Sequence, residues 1–273
     1  MNHLTIPLNN GIEMPMLGLG VWRAPEGPIT EAAVACALEA GYRSIDTATV
    51  YGNEVSVGQG LRASSVPRDE IFVTTKLWNE DARSGKVREA FEASMDRLGL
   101  DVLDLYLLHW PVPGKYLASW AVLEELYAEG RIRAIGVSNF MVHHLEDLLP
   151  QASVVPAVNQ IEFHPRLQTP ELVCYCQARD IVVEAWSPIM RGDVGSVPEI
   201  AQLAERLGKT PVQATLRWQI QRGIVTIPKS ANPDRIRANA AIFDFALSAT
   251  DMALMDSLDT HQRIGPDPDN FGF

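Results

Sequence analysis

The chain has 273 residues, of which 47% are hydrophobic and 21% charged, and it carries a net charge of −11. That length suits one large α/β domain or two small ones, and the hydrophobic share is ordinary for a globular chain that buries a core. The acidic balance argues against nucleic acid or an anionic membrane as the main partner, and no apolar run approaches the roughly 20 residues needed to span a bilayer. The three cysteines, Cys36, Cys174 and Cys176, fit neither a disulfide framework nor a zinc spacing. Residues 1–7 lack the basic and apolar regions of a secretory signal. A soluble protein of the reducing cytoplasm is expected.

In chain order, residues 4–14 read as a hairpin turning at Asn10-Gly11. A strand at 17–20 precedes a helix over 29–40 that ends at Gly41, a suitable C-cap. Ile45 belongs to the next strand and residues 54–61 to a short helix. A strand at 71–75 is followed by a helix over 85–98, and a strand at 102–108 by a helix over 119–128. Further strands are expected at 132–137, 155–159, 181–185 and 224–227, with helices over 141–149, 171–177, 198–206 and 211–221. Eight near-continuous apolar strands alternate with helices at about 30 residues per unit, in a total close to the ~250 of a (β/α)8 barrel. An open doubly wound sheet would usually show G-x-G-x-x-G after its first strand, and the first unit has none. The pattern therefore predicts a single TIM-barrel domain over 1–273, with an N-terminal β-hairpin and an irregular Gly/Pro/Asp-rich tail after Thr260.

Strand ends of a parallel barrel converge on one face, where active sites sit. Here one strand ends in Asp46, with Tyr51 five positions on; the next two end in Lys76 and His109. Tyrosine, with a pKa near ~10, is a poor acid at neutral pH unless a nearby cation lowers that value by about 1–3 units. Lys76 suits that task, Asp46 would keep it charged, and His109 could donate to a substrate oxygen. Taken singly, each has a plainer reading: a helix cap for Asp46, rim packing for Tyr51, a solvated Lys76, a hydrogen-bonded core His109. On consecutive strands, four coincidences are needed. The other histidines, His3, His143, His144, His164 and His261, show no metal-ligand pairing, and His143 and His144 should point to different faces of a helix, so no metal is expected.

Late in the chain, Lys229, Ser230 and Arg235 surround the last strand end and the following helix start, where barrels commonly bind phosphate with the help of helix amides. Trp22, Trp78 and Trp110 follow strands on the catalytic side. With Val50, Phe271 and Phe273 they would wall a small apolar cleft. The loop at 111–116 is short, which favours small ligands over bulky ones.

The segments Ile45-Asp46-Thr47-Ala48, Tyr51-Gly52-Asn53-Glu54, Thr74-Thr75-Lys76, Leu107-Leu108-His109-Trp110-Pro111, Gly136-Val137-Ser138-Asn139-Phe140, Asn159-Gln160-Ile161-Glu162 and Ile227-Pro228-Lys229-Ser230 closely resemble the aldo-keto reductases, in the family's order and over essentially the whole chain. Within that family the chain looks most like bacterial 2,5-diketo-D-gluconate and glyoxal-type reductases. The resemblance implies NADPH-dependent reduction of small aldehydes, α-dicarbonyls or keto-sugars by a monomer, with Tyr51 as general acid, tuned by Lys76 and Asp46, and His109 orienting the carbonyl. It implies that Lys229, Ser230 and Arg235 hold the 2′-phosphate of NADPH and that Asn239 contacts the adenine; the Glu often found before that Asn is here Ala238. It also assigns Ser138, Asn139 and Gln160 to the nicotinamide carboxamide and Trp186 to its ring, with Ser187 among the cofactor-binding residues. Ser138 and Asn139 could instead cap the helix at 141. Two readings from other classes compete: a regulatory subunit that binds NADPH, and a metal-dependent hydrolase using Asp46 and His109. The first would not need all four catalytic residues, and the second would need more ligands at strand ends.

Overall fold

In the computed structural model, which describes residues 4–273, Thr5–Pro7 (β1) and Glu13–Pro15 (β2) pair antiparallel around the expected turn. Eight parallel strands follow, each hydrogen-bonded to the next: Gly18–Gly20 (β3), Ser44–Asp46 (β4), Phe72–Leu77 (β5), Leu103–Leu108 (β6), Ile132–Ser138 (β7), Val158–Glu162 (β8), Val182–Trp186 (β9) and Val225–Thr226 (β10). Bridges between Leu17 and Thr226 and between Gly20 and Lys229 close the sheet on itself. The amide of Thr226 donates to Met16 O at 2.9 Å across that seam. The architecture is a (β/α)8 barrel. Strands β5, β6 and β8 are buried at every position, as their apolar runs require when core lies on one face and helices on the other.

The hairpin plugs the bottom of the barrel. Leu8 and Met14 are buried there against Phe72, Leu105, Leu107, Ala134, Val158 and Val225. Asn10 Nδ2 donates to Arg133 O at 2.9 Å and Asn9 Nδ2 to Pro156 O at 3.1 Å, fastening the plug. The opposite end stays open at the strand C-termini.

Several expected elements differ in extent. The strand placed at 155–159 runs instead over Val158–Glu162, because Pro156 has no N–H to donate and Val155 is exposed. The ladder there begins with Ala157 N to Ile135 O at 2.8 Å. The helix expected over 85–98 begins at Val87; a separate helix over Asn79–Ser84, which was not expected, precedes it and ends at Gly85, whose φ of 70° reverses the chain. The helix placed at 119–128 starts earlier, at Tyr116. A helix over Ala249–Asp256 and a short 3₁₀ segment over Met190–Ser196 were not anticipated. Beyond Thr260 the described chain is irregular, as expected. Among the described residues no helix is long and apolar enough to cross a membrane, and the three cysteines form no disulfide. His3 lies outside the described residues.

Candidate active site

Asp46 is the last residue of β4, Lys76 the penultimate residue of β5, and His109 follows β6. The parallel register therefore brings their side chains to one rim. Lys76 is fully buried, and its Nζ donates to Asp46 Oδ1 at 2.7 Å, to Asp46 Oδ2 at 2.8 Å and to Thr47 O at 2.8 Å. All three ammonium hydrogens are thus satisfied, the condition under which a buried cation is tolerable. Burial, the largest single influence, would lower the Lys76 pKa; Asp46, Tyr51 and Glu184 together outweigh it, and the net shift is upward, so the ammonium persists.

Tyr51 ends a 3₁₀ turn, Thr49–Tyr51, that breaks away from the β4 end. Its ring lies 5.1 Å from Lys76 Nζ and edge-on to His109, with centroids 5.8 Å apart. The motif beside it is structural. Asn53 donates to Val21 O and Ala24 O, both at 3.0 Å, and accepts from Thr47 Oγ1 at 2.8 Å, pinning the loop after β3 to the turn that carries Tyr51. Glu54 is buried and accepts from Thr75 Oγ1 at 2.6 Å and Arg97 Nε at 2.7 Å, steadying the residue before Lys76. One expectation is corrected. The Tyr51 pKa is raised, since burial of the phenol outweighs the lowering by Lys76, with Asp46 adding to the rise. Tyr51 is therefore protonated throughout the neutral range. His109 is held well below its ordinary pKa, by burial and then by Lys76, so its ring is neutral at neutral pH; its Nδ1 is buried without a partner among the described residues.

Behind this group lies an acid that the strand pattern hid. Gln160 Nε2 donates to Asp46 Oδ2 at 2.9 Å and to Glu184 Oε2 at 2.7 Å, so both amide hydrogens point inward. Gln160 Oε1 accepts from no group among the described residues. Glu184, wholly buried on β9, is pushed up to about 8, first by burial and then by the Asp46 charge. A lone acid inside the apolar run 181–185 was the available signal.

Ser138, Asn139 and Trp186 meet Gln160 at the same rim. Ser138 Oγ donates to Gln160 O at 2.8 Å; Asn139 Nδ2 donates to His109 O at 2.9 Å and to Ser138 Oγ at 3.1 Å; Trp186 Nε1 donates to Asn139 Oδ1 at 2.8 Å. The helix Val142–Leu148 has Met141 as its N-cap, so neither Ser138 nor Asn139 serves that purpose. Asn139 and Ser187 hold φ values of 65° and 50°, sharp left-handed turns directly after β7 and β9.

Lys229 and Arg235 are exposed, whereas Ser230 and Asn239 are buried, around the start of the helix Pro233–Ala240. The helix amides are not free for a phosphate as expected: Asn232 Oδ1 accepts from Asp234 N at 2.9 Å and Arg235 N at 3.1 Å. Any anion there relies on the side chains of Lys229, Ser230 and Arg235.

Four of the expected cleft residues form a continuous aromatic wall. Trp78 stacks on Phe273 at 5.7 Å and meets His109 at 5.3 Å, while Trp110 contacts Phe271 at 4.9 Å and Phe273 at 5.2 Å. Trp22 is not part of that wall; it lies under the guanidinium groups of Arg23 and Arg191, at 4.3 and 5.4 Å. Val50 is exposed beside Tyr51. His143 and His144 do not diverge: their rings are 4.0 Å apart, and their Nε2 atoms lie 3.0 and 3.7 Å from Asp269 Oδ1. His144 Nδ1 accepts from Met141 N at 3.1 Å, so its Nε2 carries the hydrogen and has no lone pair to give a metal.

A (β/α)8 barrel with a buried lysine–aspartate pair, a protonated tyrosine and a neutral histidine at its C-terminal rim defines an oxidoreductase acting on carbonyl or alcohol groups. Residues 16–260 match the Aldo/keto reductase family, and the chain belongs to that family. It is 51% identical over 269 residues to the glyoxal reductase of Bacillus subtilis, covering 98% of each chain. It is 46% identical over 275 residues to the methylglyoxal reductase DkgA of Salmonella typhimurium, covering 99% of each. Among solved structures, an aspartate-to-alanine mutant of Gox0644 in complex with NADPH is 41% identical over the whole of both chains, with a TM-score of 0.93.

Proposed function

We propose that the protein reduces small aldehydes, α-dicarbonyls or keto-sugars to alcohols at the expense of NADPH, with Tyr51 as general acid. The observation that carries this reading is the triply bonded Lys76 ammonium beneath Tyr51, beside a neutral His109. NADPH, when bound, supplies a hydride from its nicotinamide C4 to the carbonyl carbon. The chain does the rest. Tyr51 donates its phenolic proton to the carbonyl oxygen, and Lys76 stabilises the tyrosinate left behind. His109 donates a hydrogen bond to the same oxygen; with that hydrogen on Nε2, only an acceptor is left unmet at Nδ1.

The residues fit the cofactor. Gln160 has both amide hydrogens tied to acids, which leaves Oε1 to accept from a carboxamide N–H. Lys229 and Arg235 are exposed cations, suited to the 2′-phosphate, and Asn239 lies one turn along from Arg235 for the adenine. Small substrates follow from the close packing of Trp78, Trp110, Phe271 and Phe273 and from the short loop before Tyr116.

The test is turnover of methylglyoxal, phenylglyoxal and 2,5-diketogluconate, read by loss of the reduced-nicotinamide absorbance, for the parent and for Tyr51→Phe. The variant is expected to bind NADPH normally and to have no turnover. Turnover retained by Tyr51→Phe would remove Tyr51 as the acid.

A further inference from the structure

We propose that Glu162 and Gly265 are positioning residues that fix the Trp186 ring, and with it the seat of the nicotinamide. This rests on the reading above, in which that ring receives the cofactor.

Trp186 ends β9 and stands in register with Glu162, the last residue of β8. The indole is held at two edges. On one, Nε1 donates to Asn139 Oδ1 at 2.8 Å. On the other, the six-membered ring abuts Gly265 so closely that a Cβ there would collide with Cη2 and lie 2.9 Å from Cζ3. Gly265 does not hold a positive φ, so space rather than backbone freedom demands glycine at this point.

Most of the hydrogen bonds that fix the tail segment in turn come from one buried carboxylate. Glu162 Oε1 accepts from Ile264 N at 2.7 Å, and Oε2 accepts from Gly265 N at 3.1 Å and from Arg263 Nη1 at 3.4 Å. Across from the tail, His164 Nε2 lies 3.0 Å from Oε1. Glu162 is almost fully buried and its oxygens are taken up by these partners, so its removal would loosen residues 263–265, leaving the bond from Arg191 Nη2 to Ile264 O at 3.0 Å. The partly exposed indole is thus squared up by Asn139 on one edge and by a clamped glycine on the other.

The experiment measures, in the full-length protein, the dissociation constants of NADPH and of adenosine 2′,5′-bisphosphate, which has the phosphate and adenine but no nicotinamide. Gly265→Ala, Glu162→Gln and Trp186→Ala are compared with the parent. For Gly265→Ala we expect NADPH binding to weaken about tenfold, a loss of about 1.4 kcal/mol, with the bisphosphate unchanged. Glu162→Gln should shift the same ratio in the same direction. Adding Trp186→Phe to Gly265→Ala, which gives the new methyl room, should recover much of the loss. If Trp186→Ala weakens NADPH selectively while Gly265→Ala and Glu162→Gln do not, the positioning assignment falls and the nicotinamide reading stands. Equal loss of both ligands would mark a merely structural contact and overturn the proposal too. If Trp186→Ala leaves NADPH binding intact, the nicotinamide reading fails and this proposal with it.

Discussion

Glu184 sits among Val182, Val183 and Ala185, with one carboxyl oxygen on Gln160 and the other, Oε1, buried without a partner among the described residues. An ionised carboxylate in that setting is costly, and the group keeps its proton up to about pH 8. In the unfolded chain a glutamate titrates near ~4.3. Between those values the native state holds a proton that the unfolded chain has lost, so stability falls as pH rises through that window. Glu184→Gln keeps the acceptor for Gln160 and removes the titration. The variant should match the parent near about pH 5 and exceed it by a few kcal/mol near about pH 8, seen as a divergence of their melting temperatures. A variant no more stable than the parent at the higher pH would mean that Glu184 is ionised in the native protein. The four catalytic candidates were legible because each falls at or just beyond a strand end, where side-chain chemistry has no packing purpose. Glu184 and Glu162 were not, because their partners lie one strand away and about 100 residues along, in Gln160 and the tail respectively.

Elements showed the same division between local and distant causes. Strands buried on both faces announce themselves as apolar runs, and the capping box formed by Thr210 and Gln213 fixes a helix start to the residue. The break between Asn79–Ser84 and Val87–Leu98 turns on the conformation of a single glycine, Gly85, which composition alone does not set. Close helix contacts were equally invisible. Gly58 lies in the middle of the helix Glu54–Ala63, and a Cβ there would collide with Leu98 O and come within 2.8 Å of the Leu98 carbonyl carbon, at the end of Val87–Leu98. Two effects oppose each other in Gly58→Ala. Helix propensity favours alanine by about 1 kcal/mol, while overpacking against a rigid backbone costs about 1–3 kcal/mol and blocks close approach of the two helices. The clash should win, and the urea midpoint should fall. A higher midpoint would show that these helices separate easily enough to admit a methyl group.

The molecule as a whole carries −11, which makes a polyanionic cofactor an awkward guest except where cations gather. Lys229 and Arg235 are such a place: both are exposed and neither enters an ion pair among the described residues, whereas Arg237 is turned toward Asp234 at 3.6 Å. Asn232 already takes the nearby helix amides, so on the proposed reading the guanidinium of Arg235 would supply much of the attraction for a 2′-phosphate. Ligand binding converts this local feature into a property of the entire fold. A ligand at 100 times its dissociation constant stabilises the native state by about 2.7 kcal/mol, which for a chain of this size raises the melting temperature by roughly 5–10 °C. NADPH should produce such a shift. In Arg235→Met, loss of a charge-assisted hydrogen bond of about 1.5–3 kcal/mol should remove at least half of it at the same NADPH concentration. The shift produced by NADH, which lacks the phosphate, should be nearly the same in parent and variant. An NADPH-induced shift that survives the substitution intact would place the phosphate somewhere other than at Arg235.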